Sequence, residues 1–258
     1  MSELSCKVES GIAKISLNRP TFRNAINQAV IHGLDQSIRD LSQRTDLRAV
    51  LVSGTGSDAF CSGGDLKWLT ALRDPADGAK MASQMQRVLT ELSLLPVPIV
   101  AVLNGYALGG GAELALACDF RVFERHAYMS FKQSQVGLTT GWSGGWRLVD
   151  LIGYSRALQL AMTGEKISAE HAFELGLCNG IAETGNGLQI ALELISQFNS
   201  AAPKANAATK RLFQDARRST LADNMRMENQ LFETLWGGPD HLEALQAFKE
   251  KRRPNFTA

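Results

Sequence analysis

The sequence predicts an α/β fold with a mainly parallel sheet in its first half and helices in its second half. Short apolar runs that resemble strands alternate with helical patterns as far as about residue 123, and such alternation is typical of a mainly parallel sheet. From residue 143 onward the apolar spacing is mostly helical. The 258 residues suffice for one large domain or two small ones.

The predicted strands of the first half are short apolar runs that end at turn residues. Glycine or proline follows several of them, as expected where a buried strand ends. The predicted strands are 11–17, 48–54, 99–105 and 119–123. The predicted helices of this half are 27–44, a helix entered near Asp65, 79–95 and 110–118.

The second half is predicted to be a series of helices. Ser168 is a suitable N-cap for one of them, and Gly176 a suitable C-terminal stop. The last helices carry many apolar residues, which could pack on the parent domain or on a neighbouring subunit. The predicted helices are 143–151, 155–163, 168–175, 187–200, 204–217, 221–235 and 240–250.

Composition excludes several classes of protein. The net charge is +1, so a nucleic-acid partner is not expected. No apolar run approaches 18 residues, so no membrane span is expected. The four cysteines lack C-x-x-C spacing, which argues against a zinc site or disulfides and fits a reducing cytosol. With no signal-like or transit-like N-terminus, we expect a cytoplasmic protein without a metal.

The glycine-rich stretch GYALGGGAEL (105–114) has two functional interpretations. A dinucleotide fingerprint is disfavoured because Leu114 stands where a small residue is needed, and a phosphate loop would need GK[ST], which is absent. Alternatively, an amide of this turn and one from residues 61–65 could form a two-donor oxyanion hole, with Glu113 one helical turn further on. Tight helix–strand packing and a glutamate that only complements the helix dipole remain simpler explanations.

Several segments resemble the crotonase superfamily, that is, the enoyl-CoA hydratase/isomerase family. NGYALGGGAELALACDFRV (104–122) is similar to the family signature, and AFCSGGDLK (59–67) to its A-G-x-D-x-K loop. LNRPTFRNAI (17–26), MTGEKISAEHAFELGLCN (162–179) and AFKEKRRPNF (247–256) resemble the opening turn, the segment before the C-terminal helices and the C-terminus.

The resemblance implies a spiral of repeated ββα units, with a core over 1–200 and a helical oligomerisation region over 201–258. It implies an acyl-CoA thioester substrate, no cofactor beyond the coenzyme A of the substrate, and a homotrimer or a dimer of trimers. It also implies that a thioester enolate is stabilised by the amides of Gly64 and Gly110, with Glu113 as an acid–base. The coenzyme A contacts implied are Cys61, Ser62, Gly63, Asp65, Leu66, Phe232, Phe248 and Lys251.

The sequence departs from the family pattern where hydratases carry a second glutamate. MSFKQSQVGLTTGWSGG (129–145) aligns Gln133 with that position, and a shift of two residues would place Gln135 there. An amide offers no titratable proton near neutral pH. Trp142 resembles a tryptophan of family members that decarboxylate malonyl-type thioesters, and it is also a suitable wall for the acyl pocket.

Three functions follow from these residues. A hydratase-type lyase is ranked slightly first, because Glu113 is intact and hydration is the commonest activity of the family. A decarboxylase of methylmalonyl- or ethylmalonyl-type thioesters comes next. A catalytically impaired homologue that only binds coenzyme A thioesters is third.

Overall fold

Ten strands form two sheets in the computed structural model, which describes residues 2–72, 74–216 and 220–256. Six of them lie in the order β1-β2-β3-β5-β7-β10, and four lie in the order β4-β6-β8-β9. The strands are β1 (Leu4–Glu9), β2 (Ile12–Leu17), β3 (Ala49–Gly54), β4 (Ala59–Cys61), β5 (Ile99–Leu103), β6 (Tyr106–Leu108), β7 (Phe120–Glu124), β8 (Tyr128–Ser130), β9 (Ile167–Ser168) and β10 (Gly180–Ala182).

The described residues also form α-helices around and after these sheets. They are α1 (Gln28–Ser42), α2 (Leu66–Leu69), α3 (Pro75–Ser93), α4 (Gly110–Leu116), α5 (Gly144–Ile152), α6 (Tyr154–Thr163), α7 (Ala169–Glu174), α8 (Gly187–Phe198), α9 (Pro203–Ala216), α10 (Leu221–Leu235) and α11 (Pro239–Glu250). Each helix predicted for the second half is present within a few residues of its predicted bounds. Residue 217, the predicted end of the helix that starts at 204, lies outside the described residues.

The chain repeats one unit three times: a strand of the larger sheet, a short strand of the smaller sheet, and a helix. The units are β3-β4 with α2 and α3, β5-β6 with α4, and β7-β8 with α5. Within each sheet the successive strands of these units pair in parallel. This is the ββα spiral that the resemblance implies, rather than a doubly wound single sheet.

The larger sheet is covered on both faces, so its central strands are apolar throughout. Side chains alternate between the faces along a strand. Val50 and Val52 of β3 therefore join the large apolar cluster beneath the smaller sheet and α1. Leu51 between them joins a second cluster with Ala191 and Ile195 of α8.

The smaller sheet positions the two glycine-rich turns of the sequence. Strands β4 and β6 are parallel neighbours, with Ala59 opposite Tyr106 and Cys61 opposite Ala107. Because parallel strands end at the same edge of a sheet, the turns that follow Cys61 and Leu108 meet there. This edge is where the predicted site residues should gather.

Helix α9 is attached to the core by a partly buried ion pair between Lys210 and Asp119 and by Gln214 Nε2, which donates to the Ser93 carbonyl at 2.7 Å. Lys210 Nζ of α9 donates to Asp119 Oδ2 at 2.7 Å and to the Val97 carbonyl at 2.8 Å. Beyond α9, helices α10 and α11 leave large apolar side chains exposed, namely Met225, Phe232, Trp236, Leu242, Leu245 and Phe248. This surface fits packing on a neighbouring subunit, but the trimer and the boundary at residue 200 stay predictions. No helix of the described ranges has the length and apolarity to cross a membrane.

Several strands were missed by the sequence analysis. They are β1 and the short strands β4, β6, β8, β9 and β10. Strand β1 is half polar and lies at the edge of its sheet, while the others are two or three residues long. A strand that short shows no period in the sequence and is stabilised by pairing with its neighbours. Residues 58–65, for which no strand was predicted, contain β4, and the stretch GYALGGG contains β6.

Candidate active site

The two glycine turns touch each other at the edge of the smaller sheet. Gly63 has φ +96°, and a methyl group placed on it would lie 2.9 Å from the Leu108 carbonyl oxygen and 3.3 Å from the amide nitrogen of Gly110. The backbone of the first turn thus passes against the start of α4. The two amides that the resemblance pairs are therefore close in space.

Both amides are turned away from the hydrogen bonds of the sheet. Ile26 N donates to the Gly63 carbonyl, and Asp65 N donates to the Ile26 carbonyl, each at 2.8 Å. In a parallel pairing of this kind the middle residue, Gly64, directs its own N–H to the opposite side. Gly110 is the first residue of α4, where no intrahelical acceptor is available. Within the described ranges neither amide has a protein acceptor, and both glycines are half-buried.

Each of the three consecutive glycines is required for a different reason. Gly109 has φ 52° and ψ −117°, a conformation that side chains disfavour. A methyl group on Gly110 would lie 2.1 Å from a ring carbon of Trp142. A methyl group on Gly111 would lie 2.1 Å from the carbonyl oxygen of Cys61. The indole of Trp142 and strand β4 thus pack directly against a backbone that carries no side chains.

The carboxylate of Glu113 is buried and fully hydrogen-bonded. Its Oε2 accepts from the amides of Trp142 at 2.8 Å and Gly144 at 2.7 Å. Its Oε1 accepts from Gln133 Nε2 at 2.9 Å and, more weakly, from the Gly141 amide at 3.3 Å. A carboxylate offers about four acceptor positions, and these donors take them all. Glu113 is 1% exposed, so its oxygens face protein rather than solvent.

Burial raises the pKa of Glu113, and the donors of Gly144, Trp142, Gln133 and Gly141 oppose that rise. All four hydrogen bonds form together only when the group is ionised, because a protonated oxygen would direct an O–H at an N–H. The arrangement therefore holds an ionised carboxylate in an apolar environment. Protonation would cost it at least one of its donors.

Gln133, rather than Gln135, contacts Glu113, so it is the better candidate for the position where the family pattern has a second acid. Gln133 donates to Glu113, whereas Gln135 is exposed and donates to the Thr163 carbonyl at 2.8 Å. The Oε1 of Gln133 is buried and has no hydrogen-bond partner among the described residues. The site thus has a carboxylate–amide pair where a hydratase would have two carboxylates.

Trp142 is fixed against the start of α4. It is 5% exposed, its amide donates to Glu113, and its indole Nε1 donates to Met81 Sδ at 3.1 Å. The contact with Gly110 places the indole beside one of the two predicted oxyanion amides. An apolar wall therefore stands next to the Gly110 amide, to which the resemblance assigns a thioester carbonyl.

The 61–66 segment combines a buried beginning with an exposed end. Cys61 is buried, which raises its thiol pKa to about 12, although hydrogen bonding to Gly63 opposes this. Asp65, near which the sequence predicts that a helix begins, caps α2 by accepting from the amides of Lys67 at 3.0 Å and Trp68 at 3.2 Å. Ser62 is half-buried, and its amide donates to the Arg23 carbonyl at 3.1 Å. Leu66 is 77% exposed, a position that a bound ligand could cover.

Arg19 supports the Asp65 cap, and the sequence analysis had assigned no role to Arg19. Its Nη2 lies 2.8 Å from Asp65 Oδ2, and its Nη1 donates to the Ala25 carbonyl at 2.7 Å. Burial alone would raise the pKa of Asp65, but Arg19 and the two capping amides together lower it. Arg19 lies in 17–26, one of the segments that carry the resemblance, and this position is the signal that could have identified it.

The remaining predicted ligand residues lie in the C-terminal helices. Phe232 packs on Trp236 with ring centroids 5.3 Å apart, Phe248 is 84% exposed, and Lys251 is exposed at the end of α11. No hydrogen bond, ion pair or ring contact between described residues joins them to 61–66 or to 110–113. The structure therefore does not bring them together with the glycine turns, and their role stays a prediction.

Comparisons with known proteins identify the fold. The fold is that of the crotonase superfamily: an enoyl-CoA hydratase from Bacillus anthracis superposes with a TM-score of 0.94 and 33% identity over 98% of both chains. One from Polaromonas sp. JS666 gives 0.93 and 31% over 98% of this chain and 99% of the other. The ethylmalonyl-CoA decarboxylase of Xenopus laevis is 37% identical over 242 residues, which are 93% of this chain and 80% of that protein.

The family follows from the sequence match. Residues 7–258 match the family model described as enoyl-CoA hydratase/isomerase. The chain therefore belongs to the enoyl-CoA hydratase/isomerase family and is an acyl-CoA enzyme of the crotonase superfamily. Its relatives include both hydratases and decarboxylases, so family membership leaves the reaction open.

Proposed function

We propose that the protein decarboxylates a short branched malonyl-type coenzyme A thioester. The observation that carries this proposal is the state of Glu113, whose four acceptor positions are all taken by protein donors. Its partner at the second position, Gln133, has no titratable proton near neutral pH. The site thus lacks a free base to activate water for hydration, whereas decarboxylation needs none.

In the proposed reaction the thioester carbonyl oxygen accepts from the amides of Gly64 and Gly110. The bond between Cα and the free carboxylate breaks, carbon dioxide leaves, and the electron pair forms the thioester enolate. Negative charge therefore moves onto the oxygen between the two amides, where preset donors stabilise it most. Water then gives a proton to Cα, and the hydroxide that remains combines with carbon dioxide or takes a proton from solvent. No further cofactor takes part.

The wall formed by Trp142 supports the same reaction. A carboxylate placed against an apolar indole loses hydration, whereas neutral carbon dioxide and a delocalised enolate lose less. The buried position of the ring beside Gly110 supplies this environment. The 37% identity to the Xenopus laevis protein named ethylmalonyl-CoA decarboxylase supports ranking decarboxylation above hydration.

Hydration of an enoyl thioester is the second candidate. Glu113 contacts residue 133 directly, and the Bacillus anthracis hydratase superposes closely. For this reaction Glu113 would first have to release one of its donors to water. The non-catalytic alternative, a homologue that only binds thioesters, is the third.

The test compares the two reactions in wild type and in Gln133→Glu. Release of carbon dioxide from methylmalonyl- and ethylmalonyl-CoA is measured beside hydration of crotonyl-CoA. We expect wild type to release carbon dioxide and to hydrate crotonyl-CoA only at background. Gln133→Glu restores a pair of carboxylates that shares one proton, and acid–base groups contribute about 10²–10⁴-fold, so hydration should rise in this variant.

Two results would contradict the proposal. Efficient hydration by wild type, without release of carbon dioxide, would favour the hydratase. Binding of butyryl-CoA in calorimetry without turnover of either substrate class would favour the binding homologue. Gln135→Glu serves as the matched control, because Gln135 is exposed and bonds only to the Thr163 carbonyl.

A further inference from the structure

The turn formed by residues 140–144 is held from two sides. Three of its amides donate to the carboxylate of Glu113. From α3, Gln86 Nε2 donates to the Gly141 carbonyl at 2.9 Å, and Met81 Sδ accepts from the indole of Trp142 at 3.1 Å. The turn is therefore tied both to α4 and to α3.

The backbone of the turn depends on these ties. Ser143 has φ 71°, a left-handed conformation that a residue other than glycine adopts only when its surroundings hold it there. Gly144 lies so close to Glu113 that a methyl group on it would be 2.4 Å from Glu113 Cγ. The carboxyl group of Glu113 thus fills the concave side of the turn.

The turn determines where the indole of Trp142 lies. With its amide fixed by Glu113 and its Nε1 by Met81, the ring packs on the bare backbone of Gly110. A thioester carbonyl bound to the Gly110 amide would have its Cα next to this ring. The ring then limits the size of the substituents on that carbon.

We propose that Glu113 is a positioning residue: its carboxylate holds the 140–144 turn so that Trp142 limits the acyl substituents that the site accepts. This inference rests on the acyl-CoA substrate and deepens the proposed function, because it assigns the short branched acyl group to a particular contact. A carboxylate with four donors suits this role better than proton transfer does. A positioning role is distinguished from an acid–base role by the selectivity between acyl groups of different size, rather than by turnover.

The test uses saturated thioesters that can be neither decarboxylated nor hydrated. Calorimetry gives Kd for 2-ethylbutyryl-CoA, with two ethyl groups on Cα, and for 2-propylpentanoyl-CoA, with two propyl groups. We expect wild type to prefer the smaller acyl group by about 10–200-fold, the range for a misfit of one methylene in an apolar pocket, because one of the two longer arms would face the indole. Trp142→Ala should reduce this ratio to within about threefold, because the wall is removed.

Glu113→Gln should move the ratio in the same direction as Trp142→Ala. Its amide NH₂ would face the backbone N–H groups of the turn and loosen it. The double variant should show no further change, since both substitutions act through one contact. Gln86→Ala, at an exposed residue, removes a tie from the other side and should give a smaller change of the same sign. If Glu113→Gln does not fold, the binding ratio of Gln86→Ala decides whether the 140–144 turn controls acyl size. Trp146→Phe is the control and should leave the ratio unchanged, because Trp146 is 40% exposed and its ring lies against the guanidinium of Arg147.

An acid–base role for Glu113 gives the opposite pattern. Turnover of Glu113→Gln would then fall by about 10²–10⁴-fold while the binding ratio stayed at the wild-type value, and that result would overturn the proposal. An unchanged ratio in Trp142→Ala would overturn it as well. Because the ligands are unreactive, the outcome is independent of whether wild type releases carbon dioxide.

Discussion

Trp142 packs on Gly110, so the effect of Gly110→Ala on the free energy of unfolding should reverse its sign when Trp142 is replaced by alanine. Gly110 is the first residue of α4 and has no left-handed φ, so its backbone suits alanine. Replacing such a glycine by alanine stabilises a protein by about 0.4–1 kcal/mol through the unfolded state. In Gly110→Ala, however, the new methyl group would lie 2.1, 2.5 and 2.6 Å from three ring carbons of Trp142.

The steric effect is the larger of the two in wild type. Carbon atoms prefer separations of about 3.5–4.0 Å, so the ring would have to move by more than an ångström. The hydrogen bond from its Nε1 to Met81 and the backbone amide bond from Trp142 to Glu113 would resist this movement. Overpacking of this kind costs about 1–3 kcal/mol. We therefore expect Gly110→Ala to destabilise the wild type by about 1–2 kcal/mol, or about 2–8 °C in Tm for a chain of this size.

In a Trp142→Ala background the ring is gone and the sign should reverse. There Gly110→Ala should stabilise by about 0.4–1 kcal/mol, although Trp142→Ala itself costs about 3–5 kcal/mol. Urea and thermal unfolding of the four proteins at one protein concentration give the coupling free energy, expected at about 1–3 kcal/mol.

Gly111→Ala is the matched control for this cycle. Its methyl group would lie 2.1 Å from the backbone oxygen of Cys61, which removal of the indole does not relieve. It should destabilise both backgrounds equally. If Gly110→Ala also costs the same in both backgrounds, Trp142 does not pack as described, and the inference about acyl size fails with it.

Two further predictions concern charge and thiol chemistry. Because the folded protein lowers the pKa of Asp65, its stabilising effect is present above its unfolded pKa of about 3.9 and is lost as pH falls through the folded value. Asp65→Asn keeps an N-cap but loses the charge opposite Arg19, so it should be about 1–3 kcal/mol less stable in urea unfolding at pH 7. That difference should shrink toward pH 3, and a difference that stays constant with pH would contradict this. A maleimide at pH 7 should label Cys6 alone in the native protein, because Cys6 is exposed whereas Cys61, Cys118 and Cys178 are buried, and burial raises the pKa of all four thiols; mass spectrometry that finds labelled Cys61 in native protein would refute this.

The sequence predicted those parts of the fold whose residues carry a long local pattern. Strands β3 and β5 are continuous apolar runs because both of their faces are buried, and α1 has buried residues at helical spacing. The short strands of the smaller sheet have no such pattern. Strand β4 exists because Cys61 and Ala59 pair with β6, which lies more than 40 residues away along the chain.

The sequence named candidate site residues, which stay predictions, but it could not give their contacts. The resemblance named Glu113, Gly64, Gly110 and Trp142, and the structure places all four beside or within the two glycine turns and the 140–144 turn. It left Gln133 and Gln135 as alternatives, because spacing alone does not tell which amide faces inward. The contact with Glu113 distinguishes them. No local signal could show that three amides almost 30 residues downstream surround the same carboxylate.

The presence of a glutamate at position 113 therefore does not establish its chemistry. A carboxylate activates water only if it keeps an acceptor position for it, and here the turn takes those positions. Gly144 makes this possible, since any side chain there would collide with Glu113 Cγ. Gln133 completes the set of donors, which a second carboxylate could not do without a shared proton. The turn and residue 133 together thus determine whether this family glutamate acts on water or anchors the wall of the acyl site.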